Sequence, residues 1–306
     1  MSAPSSIAQT LWATQIPLHV THRSSPTTPF ITSVPRFSYL SLLLPRLSAF
    51  FDAPCSSFHF EDVQLRNLAV GLLADLYAPS LPWRLVVDDG VAWDIGDTFL
   101  NSVKEVSGTI LFVPFFQLLL VPLIFYSCTV YNRLSSIDET IAHATSQADF
   151  VRYGNANQIM KMSKDHTTQL WNAVIDNDYV AFSKIHTRLL NAPVTLKHVP
   201  IRIYIPSTPP PDAGGGGSPP PALAAGEAGS FKVVQSLVPV ATPDRKPKLL
   251  GQALKDLMPM LFPSSRDPVL ASVVLHGVPA PFNAPLGEMM REAAYPDGWL
   301  CFVVVV

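Results

Sequence analysis

Three cysteines in 306 residues, Cys55, Cys128 and Cys301, are too few and too far apart for a disulfide framework. They point to a reducing compartment in which each thiol is a small buried or half-buried group. Charge is scarce as well: 14% of residues are charged and the net charge is -2. Lys and Arg are scattered rather than clustered, so nucleic acid has no electrostatic footprint. The eight histidines are dispersed, with no His-Glu-x-x-His and no Cys/His pairs at zinc spacing. Gly214 to Gly217 precede no Lys-Ser or Lys-Thr and no strand feeds them directly, which excludes a phosphate loop. Asp88-Asp89, an adjacent carboxylate pair, reads as a solvated turn after a strand. No cysteine has a visible activating partner. Met1 to Thr10 carries no basic n-region and no apolar h-region follows, so no signal peptide is expected. Neither a metal, a cofactor nor a catalytic residue is expected.

Proline, by contrast, is abundant, at thirty residues, which favours short strands and helices with stiff connections. Ile16, Leu18 and Val20 alternate with polar neighbours as a half-buried strand, and Pro17 suggests that it lies at an edge. Pro29–Val34 is a second extended piece, after a polar stretch at Thr21–Thr28. Leu40, Leu43, Leu44, Leu47 and Phe51 make a helical stripe, with a kink or stop expected at Pro45. Short extended runs near Phe58–Phe60, a small helix at Leu68–Leu76 and a strand at Leu81–Val87 complete the lobe. That order is the order of a ubiquitin-like roll. Ser163 or Asp165 then caps a helix through Leu170, Trp171, Val174 and Ile175, and Tyr179, Phe182, Ile185 and Leu189 form a second. The last third repeats the first: a strand at Ile201–Ile205, another at Phe231–Val240, a helix stripe of Leu250, Leu254, Leu257 and Leu261 that Pro259 should bend or end, then Val269–Leu275, Leu286–Ala293 and Trp299–Val306. Pro206–Ser230 is too poor in apolar mass to fold. The stiff ending Val303–Val306 is unlike the flexible Gly-Gly tail of a conjugated modifier.

The fold class is therefore α+β: two ubiquitin-like β-grasp domains flank a helix-rich domain. The boundaries are 11–94 for the first roll, 95–105 for a short linking helix, 106–147 for an insertion, 148–195 for the helix-rich domain and 196–306 for the second roll. A disordered Pro/Gly segment is expected at 206–230.

The sequence resembles the autophagy protein 5 family over nearly its whole length. The resemblance rests on Trp12 with Ile16-Pro17, Pro35-Arg36 with Tyr39-Leu40, Leu81-Pro82-Trp83, Lys104-Glu105 and Asp165-His166 with Leu170-Trp171. It continues in Pro200-Ile201-Arg202-Ile203-Tyr204, His276-Gly277-Val278, Pro285-Leu286 and Tyr295-Pro296-Asp297. Each piece is weak alone; their order is specific. The resemblance implies that one lysine, by motif position Lys104, forms an isopeptide bond with the C-terminal glycine of autophagy protein 12. It further implies a non-covalent grip on a helix of autophagy protein 16, and contact with the conjugating enzymes of the pathway. The assembly would act like an E3 in the transfer of autophagy protein 8 to phosphatidylethanolamine. The implied location is the cytoplasm and, peripherally, the preautophagosomal structure membrane. On a short helix capped by Asp97, Lys104 lies beside Leu100 at i+4, so its stem can follow apolar surface while its amine stays accessible.

Val106 to Tyr131 contains no Asp, Glu, Lys or Arg, and taken alone it is a candidate membrane span. Pro114, Gln117 and Pro122 interrupt it, and a span there would put the two rolls on opposite sides of a bilayer. Deleting residues 106–147 joins Lys104-Glu105 to Ala148-Asp149, the tetrapeptide that the family carries at its acceptor site. The segment opens on Val, whose codons begin GT, and closes on Gln, whose codon can be CAG. These are intron boundaries, and the favoured reading is an intron translated in frame. A loosely packed insertion and a true span, which would make the chain a single-pass membrane adaptor, are the alternatives; a thiol-dependent conjugating enzyme is the third functional class. Reads of the mature transcript are expected to skip codons 106–147; continuous reads with no spliced form would overturn the intron reading.

Overall fold

Short-range signals set most elements, and long-range packing sets the rest. The computed structural model describes residues 6–61, 63–90, 148, 150–154, 161–190, 196–206 and 231–306. A first helix, α1 (Ile7–Ala13), begins where the Ser6 hydroxyl accepts from the Gln9 N–H at 3.2 Å. The strands β1 (Gln15–His22) and β2 (Ser25–Pro35) form an antiparallel hairpin. A 3₁₀ turn (Leu40–Leu43) leads into α2 (Leu44–Phe51). Then follow β3 (Ser57–Phe60), β4 (Val63–Gln64), α3 (Val70–Tyr77) and β5 (Trp83–Asp88). The sheet order is β2-β1-β5-β3-β4, with β1 and β5 parallel at the centre. That is a β-grasp, as the sequence predicts.

A helical hairpin comes next, α4 (Lys164–Ile175) and α5 (Tyr179–Leu190). Ser163, not Asp165, caps α4, accepting from the His166 N–H at 3.3 Å. Asn177 turns through φ 55°, and the Asp178 carboxylate caps α5 by accepting from Val180 and Ala181 at 2.9 and 3.0 Å. The second roll contains β6 (His198–Pro206), β7 (Phe231–Pro239), α6 (Leu250–Leu257), β8 (Ser272–Leu275), β9 (Val278–Pro279), α7 (Leu286–Ala293) and β10 (Leu300–Val305). Its order, β7-β6-β10-β8-β9 with β6 and β10 parallel, repeats the topology of the first.

Several expectations need correction. Strand β1 is interior, not an edge. Pro17 is tolerated there because β5 reaches only as far as Leu18, so the missing N–H faces no ladder partner on that side. The polar stretch Thr21–Thr28 is largely strand, its turn stabilised by the His22 ring against the Ser24 hydroxyl at 2.7 Å. Pro45 sits in the first turn of α2 rather than kinking it, where its missing N–H has no intrahelical partner to lose. Val269 and Leu270 are exposed and precede β8 rather than belong to it. Of the two outcomes expected at Pro259, the helix ends rather than bends: α6 stops at Leu257.

The largest difference concerns β6. Alternation of Ile201, Ile203 and Ile205 with Arg202 and Tyr204 suggests one wet face, yet Pro200 and Tyr204 are buried as well as Ile201 and Ile203. The central strands β6 and β10 are covered on both sides because the first roll lies over the sheet's outer face there. Tyr39 of the first roll reaches Trp171 of the hairpin, and Arg66 lies over the Phe231 ring at 4.6 Å.

The first roll keeps its own core, built on Leu18, Val20, Leu47, Phe58, Leu73 and Trp83. A second core runs through all three parts and includes Trp12, Phe37 and Leu72. Helix α1, absent from the sequence reading, is the strap of that core. Its Trp12 ring packs on Phe37 at 5.4 Å, Tyr179 at 6.0 Å and Phe182 at 4.7 Å, and its carbonyl accepts from the Asn177 side chain at 3.1 Å. Trp12→Ala is expected to destabilise the chain by about 3–5 kcal/mol. Ile31→Ala, at a residue 71% exposed, should cost under about 0.5 kcal/mol. Urea denaturation of both checks the contrast; equal effects would remove the strap from the account.

Candidate interaction site between the two rolls

The joint between the rolls is built from residues that are far apart in the chain. Arg36 follows the end of β2, and its guanidinium is ion-paired with Asp75 on α3. Both side chains are almost fully buried, 8% and 3% exposed. A second Arg36 bond reaches the Gly71 carbonyl at 3.1 Å. A Cβ at Gly71 would lie 2.2 Å from the Arg36 side chain, so only glycine lets the helix come this close.

The partner roll contributes the two-residue turn between β8 and β9. His276 and Gly277 have φ of 55° and 83°, the doubly left-handed geometry of a type I′ hairpin. This turn points its backbone N–H groups of His276 and Gly277 at the Asp75 carboxylate. Arg36 Nε donates to His276 Nδ1 at 3.2 Å, and His276 Nε2 therefore carries the proton that it gives to the Ala293 carbonyl at 2.8 Å. Phe37 and Tyr295 close the ring around it, at 5.4 and 4.7 Å from the imidazole.

Electrostatics in the joint follow from burial. Desolvation raises the Asp75 carboxyl above its ordinary range, against the pull of Arg36 and the two turn N–H groups. Desolvation, aided by Arg36, pushes the His276 imidazole down to about 4. The ring is thus neutral and fixed in one tautomer.

Two further contacts fix the second roll. Arg202 pairs with Asp297 at 3.2 Å and lies over the Trp299 ring at 4.2 Å. Arg152, buried, donates to the Gly298 carbonyl at 2.7 Å. Gly298, at φ 86°, has no room for a Cβ: it would stand 2.7 Å from Arg152 and 3.2 Å from Ala148.

The sequence-predicted acceptor, Lys104, lies outside the described residues, as do Asp97–Glu105, the apolar run and Cys128. The described chain leaves the first roll at Gly90 and is described again at Ala148, which is fully buried beside Gly298. Asp88 pairs with Arg23 at 2.5 Å and accepts from the Asp89 N–H at 2.9 Å, a solvated turn. Burial pushes both described thiols up, Cys55 modestly and the fully buried Cys301 strongly, away from the thiolate that a nucleophile needs. Among the described residues no three His, Cys, Asp or Glu gather to hold a metal. Among the same residues no helix is long and apolar enough to cross a membrane.

The pieces that carry the family resemblance converge here. Trp12, Arg36, Arg202, His276-Gly277 and Tyr295-Asp297 all line the joint or its flanks. What the sequence hides is Asp75, Gly71 and Arg152, whose partners lie 35 or more positions away in the chain.

The joint predicts a pH dependence. His276 binds its proton less well folded than unfolded, so its contribution is complete above about pH 6.5 and is lost as pH falls towards 4. The loss is on the order of 3 kcal/mol. His276→Asn keeps a residue suited to the left-handed turn and removes the imidazole. Unfolding free energy measured from pH 7 to pH 4 should fall less steeply in that variant; parallel curves would contradict the assignment.

Comparison with known proteins agrees with this architecture. Residues 11–88 match the family model "Autophagy protein ATG5, UblA domain", residues 135–192 its alpha-helical bundle region and residues 198–304 its UblB domain. The helical-bundle match begins inside the segment 106–147. Autophagy-related protein 5 of Gibberella zeae is 58% identical over 306 residues, covering 100% of both chains. The Beauveria bassiana protein of that name is 59% identical over 312 residues, again with 100% of both covered. Autophagy protein 5 of Aspergillus fumigatus is 35% identical over 321 residues, 98% of this chain and 95% of that one. The crystal structure of Kluyveromyces marxianus Atg5 superposes with a TM-score of 0.64 at 17% identity, covering 98% and 99% of the two chains, and so shares the fold. On the family models and on relatives alike along its full length, the chain belongs to the autophagy protein 5 family.

Proposed function

We propose that this autophagy protein is a non-catalytic acceptor and scaffold, conjugated through Lys104 to the C-terminal glycine of autophagy protein 12. With a helix of autophagy protein 16 bound non-covalently, the conjugate acts like an E3 in lipidation of autophagy protein 8, at the preautophagosomal membrane and peripherally. One observation supports the scaffold reading above others: a single core joins both rolls and the hairpin. The described chain on either side of Lys104 ends in packed structure, at the end of β5 and at the buried Ala148. An acceptor amine needs only to be exposed and to lose its proton to attack a thioester carbonyl; the nucleophilic cysteine belongs to the conjugating enzyme.

In this reading the segment that opens at Val106 begins two residues beyond the acceptor. Lys104→Arg, which keeps the charge and the stem, should abolish the higher-mass conjugate band on denaturing gels while the protein stays folded. A persisting band would move the acceptor to another lysine.

A further inference from the structure

The loop between β7 and α6 is used neither by the joint nor by the proposed conjugation, and it carries a motif of its own. Its sequence is Thr242-Pro243-Asp244-Arg245-Lys246. Proline directly after a hydroxyl residue suits a kinase cleft that buries the following backbone nitrogen without a partner, because proline has no N–H to strand there. A cation three positions after the hydroxyl adds an ion pair to an acidic pocket. Ser25-Pro26, Thr28-Pro29, Thr208-Pro209 and Ser218-Pro219 are the other such dipeptides, and none has a cation at the third position. Thr242 has Arg245 there and Lys246 next to it.

The geometry distinguishes Thr242 further. Ser25 and Thr28 are built into β2, whereas Pro243 to Pro247 stand exposed in a surface turn. The turn is held by the Thr242 N–H on the Lys246 carbonyl at 2.8 Å and the Arg245 N–H on the Thr242 carbonyl at 2.9 Å. The hydroxyl itself donates to the Lys246 carbonyl at 3.2 Å. Arg245 is held at φ 61°, a conformation that an L-residue leaves readily. None of these three bonds involves the core of the roll, so the loop can extend into a kinase cleft without unfolding the domain.

We infer that Thr242 is a phosphorylation site for a proline-directed serine/threonine kinase that reads a cation at the third position. In the step, Thr242 Oγ1 attacks the γ-phosphorus of ATP, the new Oγ1–P bond forms and the bond from that phosphorus to the β,γ-bridging oxygen breaks. ADP leaves, and the hydroxyl proton passes to the kinase's carboxylate. The ester has no hydroxyl hydrogen for the Lys246 carbonyl, so that bond is lost. The phosphate adds about -1.5 to -2 charges beside Arg245 and Lys246. The loop also bonds through the Val240 N–H to the Lys197 carbonyl, and Lys197 in turn donates to the Arg152 carbonyl. The modification therefore places its charge where the second roll meets the residues around Arg152.

The test uses the full 306-residue chain, a cyclin-dependent kinase with its cyclin, and Mg-ATP, with intact mass and fragment mapping as readout. One phosphate on Thr242 is expected. Thr242→Ala should abolish it, Thr242→Ser should restore it, and Arg245→Ala should lower kcat/KM of the kinase by about tenfold with the acceptor intact. No incorporation, phosphate mapped to another residue, undiminished labelling of Thr242→Ala, or indifference to Arg245→Ala would each overturn the site.

Discussion

The Arg36 guanidinium, buried against Asp75 beneath the His276-Gly277 turn, is the contact on which the rest of the arrangement depends. Two ubiquitin-like rolls joined only by chain would be free to reorient. Here the carboxylate of one roll accepts the turn N–H groups of the other, and the guanidinium of the first donates to the imidazole of the second. Arg36 Nε and Nη2 and His276 Nε2 each meet an oxygen or nitrogen across or within the joint. Burying an ion pair brings little net stability by itself, since desolvation opposes the Coulomb attraction. Its weight lies in what happens when one member is removed: a lone buried charge remains, at a cost of about 3–5 kcal/mol. Such a contact fixes one arrangement rather than strengthening all of them.

Packing around the joint turns that local rule into a rigid body. Trp12 seals the joint from one side with Phe37 and Phe182, and Arg152 with Gly298 packs against Ala148, where the described chain resumes. The central strands β6 and β10 of the second sheet consequently lose both faces to solvent exclusion, while the outer face of the first sheet keeps His19, Ile31 and Arg84 half-buried or exposed.

Both rolls were legible in the sequence because strands, caps and turns leave local marks: alternation at Ile16–Val20, the Ser163 cap, the Leu286–Ala293 stripe. The joint was legible only in its residues of unusual type, such as Arg36 and His276-Gly277, and there only through their order along the chain. Asp75 sits on an apolar helix with no local sign of its role, and Gly71 looks like an ordinary weak point in that helix. Helix α1 was missed because seven residues give too short a period to read. Pro17 misled because a proline rule judges a strand by its partners, and where β5 begins is a tertiary fact. The Lys104 proposal rests on family resemblance alone, since one lysine carries no more local signal in a sequence than another.

The central claim is that the rolls are locked by a specific contact rather than by adhesion of two surfaces. A double-mutant cycle on Arg36→Met and His276→Gly measures that contact, because the two residues belong to different rolls and glycine suits the left-handed turn. The account predicts that the two losses in unfolding free energy are non-additive by about 1 kcal/mol or more. Additivity to within about 0.3 kcal/mol would contradict it.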